Sequence, residues 1–405
     1  MKILVNCYAC SPYRGSEPGM GWNFVKCLSK FHELHIITEK KYQKDLDKYF
    51  CEHPDEKKYY HFHFIKRERH NILRKIYPPS YYWFYKKWQK KVLAFSQELE
   101  KTHHFDIIHQ LNMIGYREPG YLYKLKKPFV WGPIGGFNIT PWTLLSSMGI
   151  YGCIFFFCRN VINLYQMHHS KRIRTAINNS DALISATKDD HDKILDIFGK
   201  NSIIIPEVGF TSPSNNISPI RRNGKLKICW SGLHIPRKSL NLLLEAISLC
   251  KNKENIELHI IGDGECNSKW KKMANKLQIN NIKWYGWVNR NTAMNIMQES
   301  HIFTITSLSD ATSTVLLEAL SLGLPIITLN HLGFANVVTD KCGIKINLKS
   351  KRQLINDLSK AIDTIYNDED LRLDLVKGAI LRSKDFSWEA KAETINQIYH
   401  QISNQ

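Results

Sequence analysis

The chain has 405 residues, more than one core usually covers, and its 43% hydrophobic and 23% charged content excludes a disordered polypeptide. Lysine and arginine outnumber the acids 56 to 37, giving a formal net charge of +19. Such a field favours phosphorylated ligands, nucleic acid or anionic membrane. Ten scattered cysteines point to reduced cytoplasmic thiols, and Cys7 and Cys10 lack the second pair that a zinc site needs.

In chain order, MKILVNCYAC is too short for a signal-peptide core and reads as the first strand, Ile3 to Val5. SPYRGSEPGMGWNFV follows, with Gly15, Gly19 and Gly21, and leads into an apolar-periodic helix that runs to Phe31. A glycine-rich turn there brings backbone amides to the carboxyl edge of a parallel sheet, as a phosphate loop does. The spacing is not G-x-G-x-x-G, so no dinucleotide fingerprint is read. His35 to Thr38, Phe62 to Ile65, Ile107 to His109 and Pro128 to Trp131 are the next strands. His109 therefore sits at a strand's carboxyl end, where ligand contacts concentrate in such sheets.

Residues 57 to 91 are strongly basic, with Arg67, Arg69, Arg74, Lys86 and Lys87 among others against Glu68 alone, and are interleaved with Tyr77, Tyr81, Tyr82, Trp83, Phe84, Tyr85 and Trp88. That composition suits a surface resting at lipid headgroups; a solvated helix face is the alternative. Leu144 to Cys158 is apolar but broken by Ser146, Ser147 and Gly149, and it is too short to span a bilayer. It reads as a buried helix or as a surface touching a membrane. Ala182 to Ser185 is a strand and Thr187 opens the helix KDDHDKILDIF. Asp45-Leu-Asp47 and Asp190-His-Asp192 match D-x-D formally, yet both lie in charged helical patterns where acids partner the helix dipole, so no metal is expected.

Residues 206–224 are rich in Pro, Ser, Asn and Gly and read as a linker between two domains, 1–205 and 225–385. The alternation then restarts with Leu226 to Trp230, the loop SGLHIPRK, a helix from Leu240 to Leu249, and Ile256 to Ile261 ending in Gly-Asp-Gly-Glu. Ile282 to Tyr285 leads to Gly286, Trp287 and Val288. Phe303 to Leu329, FTITSLSDATSTVLLEALSLGLPIITL, then reads strand, polar loop, helix, strand. Asp310 sits in the loop and Glu318 lies about two helical turns on. A helix opening near Thr312 or Ser313 aims free amides at an anion. A loop acid, a helix start and a second acid suit a ligand with hydroxyls at both ends and phosphates between, which is a nucleotide sugar. The economical architecture is α/β: two doubly wound domains in tandem.

In order and spacing, Gly15-Ser16-Glu17 to Gly21-Trp22, Ser231-Gly232 to Arg237-Lys238, Ile261-Gly262-Asp263-Gly264, Tyr285-Gly286-Trp287-Val288 and Asp310 to Glu318 resemble the GT-B retaining glycosyltransferases of family 4, or glycosyl transferases group 1, over nearly the whole chain. The resemblance implies two Rossmann-like domains facing a central cleft, with residues 386–405 crossing back at Phe386-Ser387-Trp388 to pack a last helix on the N-terminal domain. It implies that Glu318 takes the ribose hydroxyls. Lys238 and Arg237 would neutralise the diphosphate, and the amides of Ala311, Thr312, Ser313 and Thr314 would hold the distal phosphate and sugar. Asp310 would bind the transferred sugar, with His109 a further contact, and Trp287 and Val288 would lie beside the base. Gly15, Ser16 and Gly264 complete the donor set, while Glu17, Gly135 and Gly136 face the acceptor.

The implied reaction is a metal-independent front-face displacement, without cofactor, from a UDP- or GDP-linked hexose to a polysaccharide, O-antigen or lipid-linked oligosaccharide. The expected location is cytoplasmic, with peripheral contact to the inner face of the plasma membrane through residues 57–91 and no nucleic-acid partner. The chain departs from the family pattern at three places. Asp310 stands where Glu is usual, Leu233 stands where Arg often follows the glycine so that Arg237 or His234 must substitute, and Trp131-Gly132-Pro133 stands where a histidine is common. The competing readings are a nucleotide-sugar 2-epimerase of the same two-domain plan and a non-catalytic basic nucleic-acid binder.

Overall fold

A computed structural model describes residues 1–68, 71–77, 80–210 and 221–404. They form two compact units. Unit 1 comprises Met1–Phe137, Gln166–Glu207 and Trp388–Gln405; unit 2 comprises Asn138–Tyr165 and Val208–Ser387.

Unit 1 holds the strands β1 (Lys2–Cys7), β2 (Glu33–Glu39), β3 (Tyr60–Ile65), β4 (Ile107–Asn112), β5 (Phe129–Ile134), β6 (Ala182–Ser185) and β7 (Ile203–Ile204), in the order β3-β2-β1-β4-β5-β6-β7. Unit 2 holds β8 (Leu226–Ser231), β9 (Ile256–Ile261), β10 (Ile282–Gly286), β11 (Ile302–Ile305), β12 (Ile326–Leu329) and β13 (Gly343–Ile346), in the order β10-β9-β8-β11-β12-β13. Every pairing in both sheets is parallel. The helices to the middle of the chain are α1 (Glu17–Leu28), α2 (Gln43–Glu52), α3 (Asn71–Ile76), α4 (Ser80–His103), α5 (Gly149–His169), α6 (Lys171–Asn178) and α7 (Lys188–Phe198). Those that follow are α8 (Leu240–Leu249), α9 (Asn267–Lys276), α10 (Arg290–Gln298), α11 (Thr314–Ser321), α12 (Leu332–Val337), α13 (Lys351–Asn367), α14 (Glu369–Ser383) and α15 (Trp388–Ser403).

Strands of a parallel sheet covered on both faces are buried throughout, as β4 and β5 are; β5 does this with an apolar run, whereas the polar His109, Gln110 and Asn112 of β4 are hydrogen-bonded to Tyr399, Asn6 and Ala9. In unit 1, Ile3 and Val5 of β1 pack with Leu34 and Ile36 of β2, Trp22 and Phe24 of α1, and Ile395 and Tyr399 of α15. Trp388 meets Phe24 edge to face at a centroid distance of 5.1 Å, which seats α15 on α1. In each sheet the sequence order reverses at one point, between β1 and β4 and between β8 and β11. Loops leaving those two strands diverge to opposite faces and open a crevice at the carboxyl edge, which is where such sheets bind ligands.

The expected domain boundaries need three corrections. Asn138–Tyr165, placed by sequence in the first domain, belongs to unit 2. Leu144, Leu145, Met148 and Phe156 share one apolar cluster with Leu240, Leu243 and Leu244 of α8 and Trp270 of α9, and Asn241 Nδ2 donates to the Ser147 carbonyl at 3.1 Å. Periodicity shows that this segment has an apolar face but not which core receives it. The stretch expected as a linker is also partly core, since Val208 and Phe210 pack into unit 2; its residues 211–220 lie outside the described residues. Phe386, at the expected start of the returning helix, is buried in the same unit 2 cluster, and unit 1 resumes only at Trp388.

Within the basic and aromatic stretch, Tyr85 and Trp88 are core residues, and Trp88 Nε1 donates to the Ile65 carbonyl at 2.8 Å, whereas Tyr82 and Trp83 are exposed. Arg69 lies outside the described residues.

Leu144→Ala is expected to cost about 2–5 kcal/mol, as for other fully buried leucines. Hydrogen exchange should then rise in β8 and α8 and stay unchanged in β1 to β3; the reverse pattern would place this segment in the wrong unit.

Candidate active site

The loop after β8, Gly232 to Ser239, and the loop after β11, Thr306 to Ser313, meet at the point where the unit 2 sheet reverses. Backbone bonds lock them together: the Leu308 amide donates to the Arg237 carbonyl at 2.8 Å and Thr306 Oγ1 to the Lys238 carbonyl at 3.1 Å. His331 Nε2 bonds the Ser307 carbonyl at 2.9 Å from beneath. Three residues expected to be catalytic converge there. Lys238 Nζ forms an ion pair with Asp310 Oδ2, and Arg237 Nη1 lies 3.5 Å from Asp310 Oδ1 while donating to the Ser309 carbonyl at 2.6 Å. Burial alone would raise the Asp310 carboxyl, but the charges of Lys238 and Arg237, the Lys238 hydrogen bond and the Ala311 amide together hold it below the usual carboxylate value.

Asp310 is followed by Ala311, Thr312 and the N-cap Ser313, whose side chain caps no amide of α11. The first amides of an eight-residue helix are thus left for another acceptor. Gly333 of α12 is what lets the loop close this tightly, because a Cβ there would lie 2.1 Å from Thr312 Oγ1. Glu318 lies on α11 with its side chain mostly buried, and Arg290 Nε donates to its Oε1 at 2.7 Å. Trp287, after β10, is 75% exposed, and Val288 beside it packs on the core. Gly264, at φ +152°, approaches the loop after β8 so closely that a Cβ would lie 2.7 Å from the His234 carbonyl. Its visible role is to seat that loop. Of the two residues expected to stand in for the missing arginine, Arg237 reaches Asp310, whereas His234 is buried against Trp230 and Trp270.

In unit 1, Gly15 and Ser16 precede α1, with Ser16 at φ +58°. Glu17 Oε1 accepts the Ile114 amide at 3.0 Å, linking the loop after β1 to the loop after β4. Burial raises its carboxyl, an effect that this bond and Lys41 partly offset. Gly135 joins the same set, donating to the Ile114 carbonyl at 2.8 Å and accepting from the Tyr116 amide at 3.0 Å. Gly136 follows at φ +91°, and Asp190 Oδ1 takes the Phe137 amide at 2.9 Å. Burial pushes Asp190 up to about 7, so this acid braces the glycine turn. Asp45 of the other D-x-D pairs with Arg14 and Ser11. Among the described residues, one His and carboxylate cluster has ligand atoms within 4.8 Å of one another, Glu33, His35 and His61. It lies near the amino ends of β2 and β3, at the opposite edge of the sheet from these loops.

His109 is a correction. It is fully buried on β4, with Nδ1 2.5 Å from Tyr399 Oη and Nε2 2.8 Å from the Gly132 carbonyl. A carbonyl can only accept, so Nε2 carries the proton and Nδ1 takes the tyrosine hydroxyl. Burial, first of all, holds the ring neutral with a pKa of about 4. Both nitrogens are spent on seating α15 and the turn after β5, so His109 has none to offer a sugar.

Sequence reasoning missed Arg159, whose Nη1 donates to Ser309 Oγ at 3.1 Å, and Asn138, whose Nδ2 donates to the Asp310 carbonyl at 3.1 Å. A lone arginine inside the apolar run of α5 was the available signal. It also missed Arg290 as the partner of Glu318.

Residues 215–382, all in unit 2, match the family model described as glycosyl transferases group 1. The chain is 24% identical over 206 residues to the phosphatidylinositol N-acetylglucosaminyltransferase GPI3 subunit of Saccharomyces cerevisiae, across 50% of this chain and 45% of that protein. It is 25% identical over 170 residues to the corresponding gpi3 subunit of Schizosaccharomyces pombe, across 42% of this chain and 36% of that one. The chain thus spans less than half the length of these two relatives. Among solved structures it resembles Anabaena HepE in complex with UDP, with a TM-score of 0.62 and 14% identity over 99% of this chain and 100% of that one. It also resembles the apo form of the lipopolysaccharide outer core galactosyltransferase WaaB, with a TM-score of 0.64 and 17% identity over 99% of this chain and 100% of that one. The fold is GT-B, built of two Rossmann-like units, and the match to the glycosyl transferases group 1 model lies in unit 2.

Because the Asp310 carboxyl is held below its ordinary value near 3.9, its ion pair stabilises fully above that pH and is lost as acid protonates it. Asp310→Asn should therefore cost about 3 kcal/mol at neutral pH by leaving Lys238 unpaired, with the gap from wild type closing below about pH 3.9 in urea titrations. Tyr399→Phe should cost about 1–3 kcal/mol by orphaning His109 Nδ1, and nucleotide affinity should not change.

Proposed function

We propose that the protein is a retaining family 4 glycosyltransferase that moves a hexose from a UDP- or GDP-linked donor to a surface-glycan acceptor without metal or cofactor. The observation that carries this reading is the convergence of Arg237, Lys238 and Asp310 beside the uncapped start of α11, at the reversal point of the unit 2 sheet. Two cations and a helix N-terminus make a diphosphate site, and a carboxylate between them makes a hydroxyl site.

On this reading, Lys238 and Arg237 turn from Asp310 to the diphosphate when the donor binds, which frees Asp310 to accept hydroxyls of the sugar. Glu318, already oriented by Arg290, takes the ribose diol, and exposed Trp287 offers the base an aromatic surface. The bond from C1 to the β-phosphate oxygen breaks while the acceptor oxygen bonds C1 from the same face, and the acceptor proton passes to the departing phosphate. The cations stabilise the charge that develops there. Glu17, Gly135 and Gly136 serve the acceptor. The bound UDP of the HepE structure supports a uridine donor, and the names of the two yeast relatives support a lipid-borne acceptor. Exposed Ile72, Ile76, Tyr82 and Trp83 support contact of residues 57–91 with the cytoplasmic face of a membrane.

Glu318→Ala should abolish the thermal stabilisation that UDP or GDP confers on wild type. Lys238→Ala should lower kcat by about 10²–10³-fold at a temperature where circular dichroism shows the variant folded, and it should also lower Tm because Asp310 loses its main cation. Product analysis with donor alone should show slow hydrolysis, and with acceptor a retained glycoside; an epimerised free sugar from donor alone would overturn the transferase reading.

A further inference from the structure

Within unit 2, α5 is built inside out. Its polar side chains point into the protein: Asn160 Nδ2 donates to the Thr140 carbonyl at 2.8 Å, Asn163 Nδ2 to the Asn138 carbonyl at 3.0 Å, and Arg159 reaches Ser309. The outward face carries Ile150, Tyr151, Ile154, Phe155, Ile162 and Tyr165, with Ile150 84%, Tyr151 81% and Tyr165 67% exposed. Their spacing of three, four and seven residues is a single helical stripe, and no charged side chain interrupts it. A helix on the surface of a water-soluble protein normally has the opposite arrangement.

We propose that this face docks on an anionic lipid surface, with α5 lying in the plane of the headgroups. Trp142–His169 is long and apolar enough to cross a bilayer by length and composition. Spanning would, however, tear Asn160, Asn163 and buried Phe156 from their places in unit 2, so the helix lies flat. Charge complements the apolar stripe. Lys269 of α9 stands beside its start, its Nζ 3.1 Å from where a Gly149 Cβ would be, and exposed Lys272 follows one turn later. Size favours lipid over a second protein. Residues 149–165 extend about 25 Å and present a strip about 10 Å wide, or roughly 250 Å², against the roughly 800 Å² per partner that a stable protein interface buries. A bilayer sets no such minimum and suits tyrosine at its boundary. The inner side of the same helix touches the Asp310 loop through Arg159 and through Asn138, so the lipid contact and the donor loop share one element.

Flotation of the full chain with phosphatidylcholine vesicles, with and without phosphatidylglycerol, tests this independently of any turnover. Wild type should float with the anionic vesicles, and less so at about 1 M salt. Ile154→Glu with Phe155→Glu should weaken flotation at least about ten-fold without changing circular dichroism or Tm, since both positions are exposed. Ile150→Asn provides a milder second variant should the first misfold. Lys269→Glu with Lys272→Glu should remove only the part that depends on phosphatidylglycerol. The proposal is overturned if wild type does not float, or if the α5 variants float as wild type does. It is equally overturned if wild type is a dimer without lipid that the α5 variants dissociate, because a second copy would then cover the face.

Discussion

The ion pair of Lys238 with Asp310 is the constraint on which unit 2 turns. Two loops that leave neighbouring strands in opposite directions must be brought back together, and a buried lysine facing a mostly buried aspartate does this only if neither lacks its partner. The surrounding bonds serve that pair: Leu308 to Arg237, Thr306 to Lys238, Asn138 to Asp310 and His331 to Ser307. The result is an acid held ionised between two cations at the mouth of a helix. Such an arrangement is poor as a stabiliser and well suited to exchange one anion, the carboxylate, for another, a phosphate.

Unit 1 is organised differently. Its carboxyl-edge loops are tied by neutral and backbone contacts, with Glu17 accepting from Ile114, Gly135 paired with the same residue, and Asp190 bracing the turn after β5. His109 anchors α15 from the sheet's centre.

Much of this was legible in the sequence, because apolar runs and glycine breaks locate parallel strands well, and the interval from Asp310 to Glu318 places both acids relative to one helix start. That helix opens at Thr314 behind Ser313, one residue from the expected point. β7 escaped because two residues carry no period, and β13, Gly-Ile-Lys-Ile, because its glycine and lysine leave no apolar run. Asn138–Tyr165 was put in the wrong unit because an apolar helix does not announce its core, and Arg159 was missed with it. His109 was misread for a related reason: a strand's carboxyl end is a frequent address for ligands, but only three dimensions reveal Tyr399 and Gly132 already occupying both nitrogens.

The central claim is that a nucleoside diphosphate sits on unit 2 between Lys238 and the start of α11. Hydrogen exchange of the full chain with and without saturating UDP or GDP tests it directly. The account predicts slowed exchange at the amides of Ala311 to Leu316 and in the loop from Gly232 to Ser239. Protection confined to unit 1, or none with either nucleotide, would contradict it.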